Sequence, residues 1–221
     1  MNSRALVLAK APVAGQVKTR LGADVGMAYA ADLAAAALLD TLLACTAAFG
    51  PGACRLALAG DLTGAVRAGE LHAALAGWTV VPQRGDDFAE RLVNAHLDAA
   101  GQGGGIVQLG MDTPQVTAAG LAAVADGLAD HEAVLGHAPD GGWWVLGLRR
   151  PADAAALRGV PMSTPTTGRD THAALVAGGL SVGEAAPLRD VDTVADAHVA
   201  AGAAPHGHFA AAWAARPEVR P

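Results

Sequence analysis

The chain has 221 residues, of which 52% are hydrophobic, 4% aromatic and 16% charged, and its formal net charge is −6. This length allows one domain with a sizeable core, and the low charge excludes a disordered chain. An acidic chain with few aromatic residues also argues against a nucleic-acid groove, which depends on a basic surface. Only two of the 15 basic residues are lysines, Lys10 and Lys18, and both lie in the first twenty residues.

The sequence predicts a cytoplasmic protein with no membrane partner. No stretch of about 18 uninterrupted apolar residues is present, and the longest candidate, 27–48, contains Asp32 and Asp40. The first apolar run is too short for a signal peptide. Cys45 and Cys54 match neither a metal spacing nor a disulfide framework, which favours a reducing compartment. No pattern indicates the oligomeric state.

Short apolar segments alternate with longer segments of helical period. In chain order, the predicted elements are strand 5–9, loop 10–21, helix 27–48, strands 55–59 and 79–82, helix 86–100, strand 106–109, helix 117–129, strands 133–136 and 143–148, helix 167–177, a short strand at 188–191, and helices 194–201 and 208–215. This alternation predicts one α/β domain over 1–221, with a mainly parallel sheet covered on both faces. Ligands of such sheets bind beyond the carboxyl ends of the strands.

The first loop, residues 10–21, reads K-A-P-V-A-G-Q-V-K-T-R-L. After a first strand, Gly15 with Lys18 and Arg20 could hold the phosphates of a nucleotide. The loop has one glycine, so it is neither a Walker A loop nor a dinucleotide-binding fingerprint. An ordinary solvated basic loop is the alternative, but the placement of both lysines here favours a phosphate-binding function.

Two acidic segments could bind a metal. Asp112 follows a very apolar strand in the segment G-M-D-T-P, and hard cations such as Mg²⁺ and Mn²⁺ prefer carboxylates. Asp190 and Asp192 would share one face of an extended segment, because the strand period is two. The alternatives are that Asp112 is a turn residue and that Asp192 or Thr193 caps the next helix.

Two further loops carry polar groups at strand ends. In the turn P-D-G-G-W-W, Gly141 and Gly142 would let the backbone approach a ligand, and one of the adjacent tryptophans could stack on a sugar or base. The alternative is a hairpin turn with core tryptophans. In the segment 83–87, Gln83 could read a base edge and Arg91 could reach a phosphate. Its alternative is a plain loop with a helix cap.

Taken together, six motifs in register resemble a known family over residues 6–196, approximately. They are A-K-A-P-x-x-G-x-V-K-T-R-L, Q-R-G-x-x-x-x-E-R-L, G-M-D-T-P, H-A-P-D-G-G-W-W-V-L-G-L, T-G-x-D-T and D-V-D-T-x-x-D. This pattern resembles the GT-A-like nucleotide-diphospho-sugar transferases, in the branch labelled arsenosugar-biosynthesis-type glycosyltransferase. The K-T-R-L and D-V-D-T elements are also similar to those of 2-phospholactate guanylyltransferases.

The resemblance implies a Rossmann-like α/β/α sandwich that binds a nucleotide at the strand ends with Mg²⁺ or Mn²⁺. It implies metal binding by Asp112 and Asp192. For a transfer reaction at this site we predict catalytic roles for Lys18, Asp112 and Asp140. The implied nucleotide-binding residues are Gly15, Lys18, Arg20, Gln83, Gly85 and Asp112. The implied acceptor-binding residues are Asp140, Gly141, Gly142 and Trp143. The chain departs from the family at Trp143-Trp144, where Tyr-Tyr is common, and at Met162, where Trp is common.

Three functions follow as hypotheses. The first is metal-dependent glycosyl transfer from a nucleotide sugar to a small-molecule acceptor. The second is nucleotidyl transfer, in which a phosphorylated acceptor attacks a nucleoside triphosphate and pyrophosphate leaves. The third is a nucleotide-binding protein without catalysis, which the presence of both Asp112 and Asp192 disfavours.

Overall fold

The computed structural model describes residues 3–101 and 103–216. Its strands are β1 (Arg4–Lys10), β2 (Cys54–Ala59), β3 (Thr79–Pro82), β4 (Ile106–Leu109), β5 (Ala133–His137), β6 (Trp143–Leu148) and β7 (Val182–Ala185). Its α-helices are α1 (Thr19–Val25), α2 (Met27–Phe49), α3 (Ala68–Ala74), α4 (Phe88–Ala99), α5 (Ala118–Gly127), α6 (Thr167–Ala177), α7 (Val194–Ala203) and α8 (His208–Ala214).

The strands form one sheet of seven, in the order β3-β2-β1-β4-β6-β5-β7. All neighbouring strands are parallel except where β6 pairs antiparallel with β4 and with β5. Six strands therefore run in one direction and β6 runs against them. The predicted α/β class with a mainly parallel sheet is confirmed.

Helices cover both faces of the sheet because its central strands are apolar on both sides. On β1, Val7 faces the core layer that contains α2 and α5, while Leu6 and Leu8 face the layer that contains α4 and α6. A third cluster joins α1, α2, α7 and α8 around the buried Phe209. Alternation of side chains along a strand explains how one short segment serves both layers.

The long apolar helix predicted at 27–48 is α2, and it lies in the middle of the fold. By length and composition alone it could cross a membrane, and it is the one such helix among the residues described. However, 56% of its most apolar stretch is buried inside the protein, against the sheet and against α1, α3, α5 and α8. Its Ala and Leu side chains thus build the core.

The prediction of a strand at 188–191 is wrong. Residues 188–191 instead cross the strand ends, where the Val191 N–H donates to the Asp112 carbonyl oxygen over 2.9 Å. The seventh strand is β7, which pairs with β5 at the sheet edge. Three of its four residues are half-buried and Glu184 is exposed, and it includes Gly183, so β7 lacks the apolar pattern that predicts a strand. The sequence also does not predict the short helices α1 and α3, because seven residues of helix produce little periodicity.

Candidate functional site

A cavity of about 720 Å³ opens at the carboxyl ends of β1, β2 and β4. This is where the sequence predicts ligand binding. Of the predicted site residues, those that line the cavity are Arg20, Gln83, Asp112, Asp140, Gly142, Trp143 and Asp192. Lys18 lies just beneath it, bonded to two of these residues. Gly15, Gly85 and Gly141 shape the surrounding loops and do not line the cavity.

The Lys18 ammonium lies between the two predicted metal ligands. Its Nζ is 2.8 Å from Asp112 Oδ1 and 3.0 Å from Asp192 Oδ1, and only 8% of the side chain is exposed. Burial alone would lower the pKa of Lys18, but the attraction of both carboxylates outweighs burial and raises that pKa. The lysine is therefore charged at neutral pH and holds the two carboxylates together.

Local backbone geometry places Lys18 in this position. It is the residue before α1 and has a left-handed conformation with φ of 47°, which is uncommon for a residue with a side chain. Arg20, one residue into α1, lies 3.3 Å from Asp192 Oδ2 and is 78% exposed. Lys18 is thus held below the cavity by two carboxylates, whereas Arg20 is exposed and lines the cavity.

The segment 188–193 brings Asp192 to Asp112 across 80 residues of sequence. Two hydrogen bonds fix it to the loop after β4, from Val191 N to Asp112 O and from Gln115 Nε2 to Arg189 O. Thr193 caps α7 in a capping box with Asp196. Thr193 thus takes the helix-capping role, and Asp192 is left facing the cavity.

Asp190 adds a third carboxylate at this end of the cavity. Its Oδ1 is buried and has no hydrogen-bond partner in the part of the chain that the structure describes. Burial, followed by repulsion from Asp112 and Asp140, raises the pKa of Asp190 to about 7.

Gln83 spans two strands at the other side of the cavity. Its Nε2 donates to the carbonyl oxygens of Ala9, 2.9 Å away, and Ala57, 3.0 Å away. An amide nitrogen has two N–H donors, so both are used and Oε1 remains to accept a hydrogen bond from a base. Beside it, the Arg91 Nε donates to the Gly85 carbonyl oxygen, which anchors that arginine to the same loop.

Gly85 and Gly141 act through close packing. A Cβ at Gly85, where φ is +135°, would lie 2.8 Å from Glu90 Cβ. A Cβ at Gly141, where φ is +91°, would overlap the Pro165 carbonyl. Only glycine allows these loops to lie against α4 and the start of α6.

The turn after β5 places Asp140 and the two tryptophans. Asp140 Oδ1 accepts a hydrogen bond from the Gly142 N–H over 2.8 Å. Trp144 is buried in the α2 layer and donates to the Ala186 carbonyl oxygen, while Trp143 lies on the opposite face, lines the cavity and donates to Thr171 Oγ1. Trp144 also lines the cavity, so each of the two tryptophans contacts both the core and the cavity.

Two buried polar residues of the cavity were not predicted as site residues. Gln108 and Thr113 are each 2% exposed, and their Oε1 and Oγ1 atoms have no partner among the described residues. Buried polar atoms are almost always bonded, so each such exception requires an explanation. The sequence signal for Gln108 was a polar residue inside the apolar strand Ile-Val-Gln-Leu.

The carboxylates fit a divalent cation that is shared with a ligand. Among the described residues, no three His, Cys, Asp or Glu side chains form a metal site by themselves. However, Asp112 and Asp192 are already arranged around a positive charge, and Asp190 presents an unpaired buried oxygen. Hard cations commonly combine one or two carboxylates with phosphate oxygens and water.

Comparison with known proteins gives the family. The family profile described as an uncharacterized protein conserved in bacteria, DUF2064, matches residues 41–164, more than half of the chain. The chain belongs to the DUF2064 family. The DUF2064 match includes Asp112 and Asp140 but neither Lys18 nor Asp192. Only the tertiary structure brings Lys18 and Asp192 next to Asp112. No curated protein matches the sequence significantly.

Solved structures confirm the fold of this DUF2064 member. A protein from Desulfovibrio desulfuricans G20, provisionally described as a nucleotide-diphospho-sugar transferase, is 26% identical with a TM-score of 0.83, over 96% of this chain and 93% of that one. Rv0371c from Mycobacterium tuberculosis H37Rv, solved in complex with manganese, is 24% identical with a TM-score of 0.54, over 90% and 98%. A cytidylyltransferase from Leptospira borgpetersenii is 13% identical with a TM-score of 0.54, over 89% and 83%. The recognition of a GT-A-like transferase fold is confirmed, and the prediction of a transferase agrees with these comparisons.

Proposed function

We propose that the protein is a metal-dependent glycosyltransferase that moves a sugar from a nucleotide sugar to a small-molecule acceptor. The observation that carries this proposal is the pair of carboxylates, Asp112 and Asp192, gathered around Lys18 at the carboxyl ends of the central strands. The likeness to the Desulfovibrio protein supports the same class of reaction.

Asp112 and Asp192 would hold Mg²⁺ or Mn²⁺ together with phosphate oxygens of the nucleotide. A metal bound there would neutralise the charge that develops on the departing diphosphate. That Rv0371c was solved with manganese supports this choice of ion.

The residues on the β1–β3 side would bind the nucleotide. Lys18 has three N–H donors, and its two carboxylate contacts leave one for a phosphate oxygen. The exposed Arg20 can place its planar guanidinium against the diphosphate. Gln83 Oε1 would accept a hydrogen bond from the base.

Asp140 would act on the acceptor. As the sugar's bond to the diphosphate breaks, the acceptor oxygen forms a bond to the same carbon and transfers its proton to the Asp140 carboxylate. Asp140 is suited to this role because it lines the cavity and the Gly142 N–H fixes one of its oxygens.

Nucleotidyl transfer is the second candidate. The basic loop after β1 would suit a triphosphate, and the fold is also that of cytidylyltransferases. A protein that binds nucleotides without turnover is the third candidate. A cytoplasmic location, and the absence of membrane and nucleic-acid partners, remain predictions.

One assay distinguishes these candidates. The protein is incubated with Mn²⁺, mixed potential acceptors and either a panel of nucleotide sugars or the four nucleoside triphosphates. Nucleoside diphosphate release from a nucleotide sugar is the expected result. Pyrophosphate release would support nucleotidyl transfer instead, and nucleotide binding without either product would support the non-catalytic candidate.

A further inference from the structure

The half of the cavity built by β4 and β6 has its own chemistry, separate from the proposed nucleotide site. Gln108 lies on β4, between β1 and β6, with its side chain directed to the α4 layer and into the cavity. It is 2% exposed, and its Oε1 has no partner within the described part of the chain. A carbonyl oxygen buried in this way is positioned to accept a hydrogen bond from a ligand.

The surroundings of Gln108 are apolar. Leu8, Leu92, Trp143 and Met162 line the same cavity and belong to, or pack against, the α4 core layer. The Trp143 indole N–H is already bonded to Thr171, so that tryptophan offers the ligand apolar surface and its ring. A ligand beside Gln108 would meet these apolar walls together with the buried acceptor oxygen of the amide.

The charges around this half are negative. Asp140 and Asp190 line the cavity from the loops after β5 and before α7, whereas its basic residues belong to β1, α1 and α4. Lys10 and Arg20 lie at the end of β1 and on α1, and Arg91 is tied to the loop after β3 by its bond to Gly85. No Lys or Arg among the cavity-lining residues comes from β4, β6 or the loop before α6. Within the part of the chain that the structure describes, β4, β6 and the loop before α6 therefore offer no cation to a phosphorylated acceptor.

We infer that this half is an acceptor subsite for an uncharged, non-phosphorylated molecule that carries hydroxyl groups on an apolar body, and that one hydroxyl donates to Gln108 Oε1. The inference rests on the proposed glycosyl transfer and names the substrate class of the same site. It also bears on the choice of reaction, because the nucleotidyl alternative requires a phosphorylated acceptor.

A matched pair of probes tests the charge preference. Phenyl β-D-glucoside and its 6-phosphate share an apolar ring and hydroxyls and differ in the phosphate. Their dissociation constants are measured by ligand-observed NMR titration against the full chain without added metal, because Mn²⁺ would bind the phosphate itself and broaden the probe signals. We expect the uncharged probe to bind at least about tenfold more tightly, since like charges at close range oppose binding. Equal or tighter binding of the phosphate, or no binding of the uncharged probe, overturns the inference.

The variant Gln108→Met tests the hydrogen bond, because methionine keeps the volume and removes the acceptor oxygen. We expect the dissociation constant of the uncharged probe to rise about tenfold, with unchanged nucleotide-induced thermal shifts. The control is Gln16→Met on the exposed first loop, outside the cavity lining, which should leave binding unchanged. A change of less than about twofold for Gln108→Met overturns the inference.

Failure of the inference and failure of the proposed function give different results. If nucleotides shift the melting temperature while Gln108→Met binds the probe normally, the subsite assignment fails alone. If no nucleotide binds to the wild type, the proposed function fails, and the probe titrations still report on the subsite.

Discussion

The two halves of the cavity differ in how their polar side chains are satisfied. On the side of β1 to β3, the side chains of Lys18, Gln83 and Arg91 bond to other groups of the protein. On the side of β4 and β6, the buried oxygens of Gln108 and Thr113 have no hydrogen-bond partner among the described residues.

This difference shows how one cavity can treat two substrates differently. A side chain fixed by its neighbours is already oriented, so it can bind a ligand without losing conformational freedom. An unpaired buried oxygen instead penalises any ligand that fails to bond it, which yields specificity. We therefore expect the first half to provide affinity for the nucleotide and the second half to select the acceptor.

The largest expected effect comes from Asp112→Asn, which removes one of the two carboxylate charges beside Lys18. Substitution of a residue that only orients a metal ligand typically lowers metal affinity or activity by about 10- to 100-fold. For the loss of a ligand itself we expect the rate to fall by at least about 100-fold. The measurement is the initial rate of nucleoside diphosphate release at several Mn²⁺ concentrations. Asp98→Asn is the control, because Asp98 pairs with Arg84 outside the cavity lining. Wild-type activity in Asp112→Asn would remove this residue from the site.

Lys18→Met should lower stability in a way that a metal can reverse. Without the ammonium, Asp112 and Asp192 repel each other, and we expect the free energy of unfolding to fall by roughly 1–3 kcal/mol. This is less than for a fully buried ion pair, because both carboxylates are over 40% exposed and solvent screens their charges. Added Mn²⁺ should raise the melting temperature of this variant more than that of the wild type.

The other lysine provides the comparison for that experiment. Lys10 is exposed at the end of β1, so Lys10→Met should leave the melting temperature almost unchanged. An equal response of Lys18→Met and wild type to Mn²⁺ would contradict the arrangement of both carboxylates around one cation.

His96 shows what an unpaired buried group does when no ligand can reach it. It is fully buried on α4, neither ring nitrogen has a partner among the described residues, and it is absent from the cavity lining. His96→Leu should therefore raise the free energy of unfolding by about 1 kcal/mol, without changing the binding of the uncharged probe. Weaker probe binding would mean that His96 belongs to the acceptor half.

The same variant should change the dependence of stability on pH. Burial lowers the pKa of His96 to about 3, below its ordinary value of about 6.5. Between these values the unfolded chain binds more protons, so this histidine reduces stability as the pH falls below 6.5, by up to about 1.4 kcal/mol per pH unit. Denaturant unfolding between pH 7 and 4 should show a shallower decline for His96→Leu than for wild type.

The smallest expected effect is that of Thr113→Val. The hydroxyl oxygen has no partner within the described residues, so its removal should leave the melting temperature within about 2 °C of wild type. If a substrate forms a hydrogen bond with this hydroxyl, the KM for that substrate should rise by a few fold. That change corresponds to the loss of about one neutral hydrogen bond. A large loss of stability would indicate that Thr113 supports the loop after β4.

The sequence by itself determined the fold class, the core strands and the loops that meet at the cavity. Apolar segments such as β4, and the helical period of α2, are local patterns, and a parallel sheet then brings its strand ends to one edge. Asp112 and Asp192 were likewise predicted from their local motifs.

Only the tertiary structure decided how these residues are paired. It placed the Lys18 ammonium between Asp112 and Asp192, and it paired β7 with β5 rather than forming a strand at 188–191. It also buried Gln108 Oε1 where no described residue bonds to it. Each of these outcomes depends on contacts between segments far apart in the chain. The local sequence pattern indicates which residues are apolar or charged. Which of them are buried, and which charges are paired, depends on neighbours that only folding brings together.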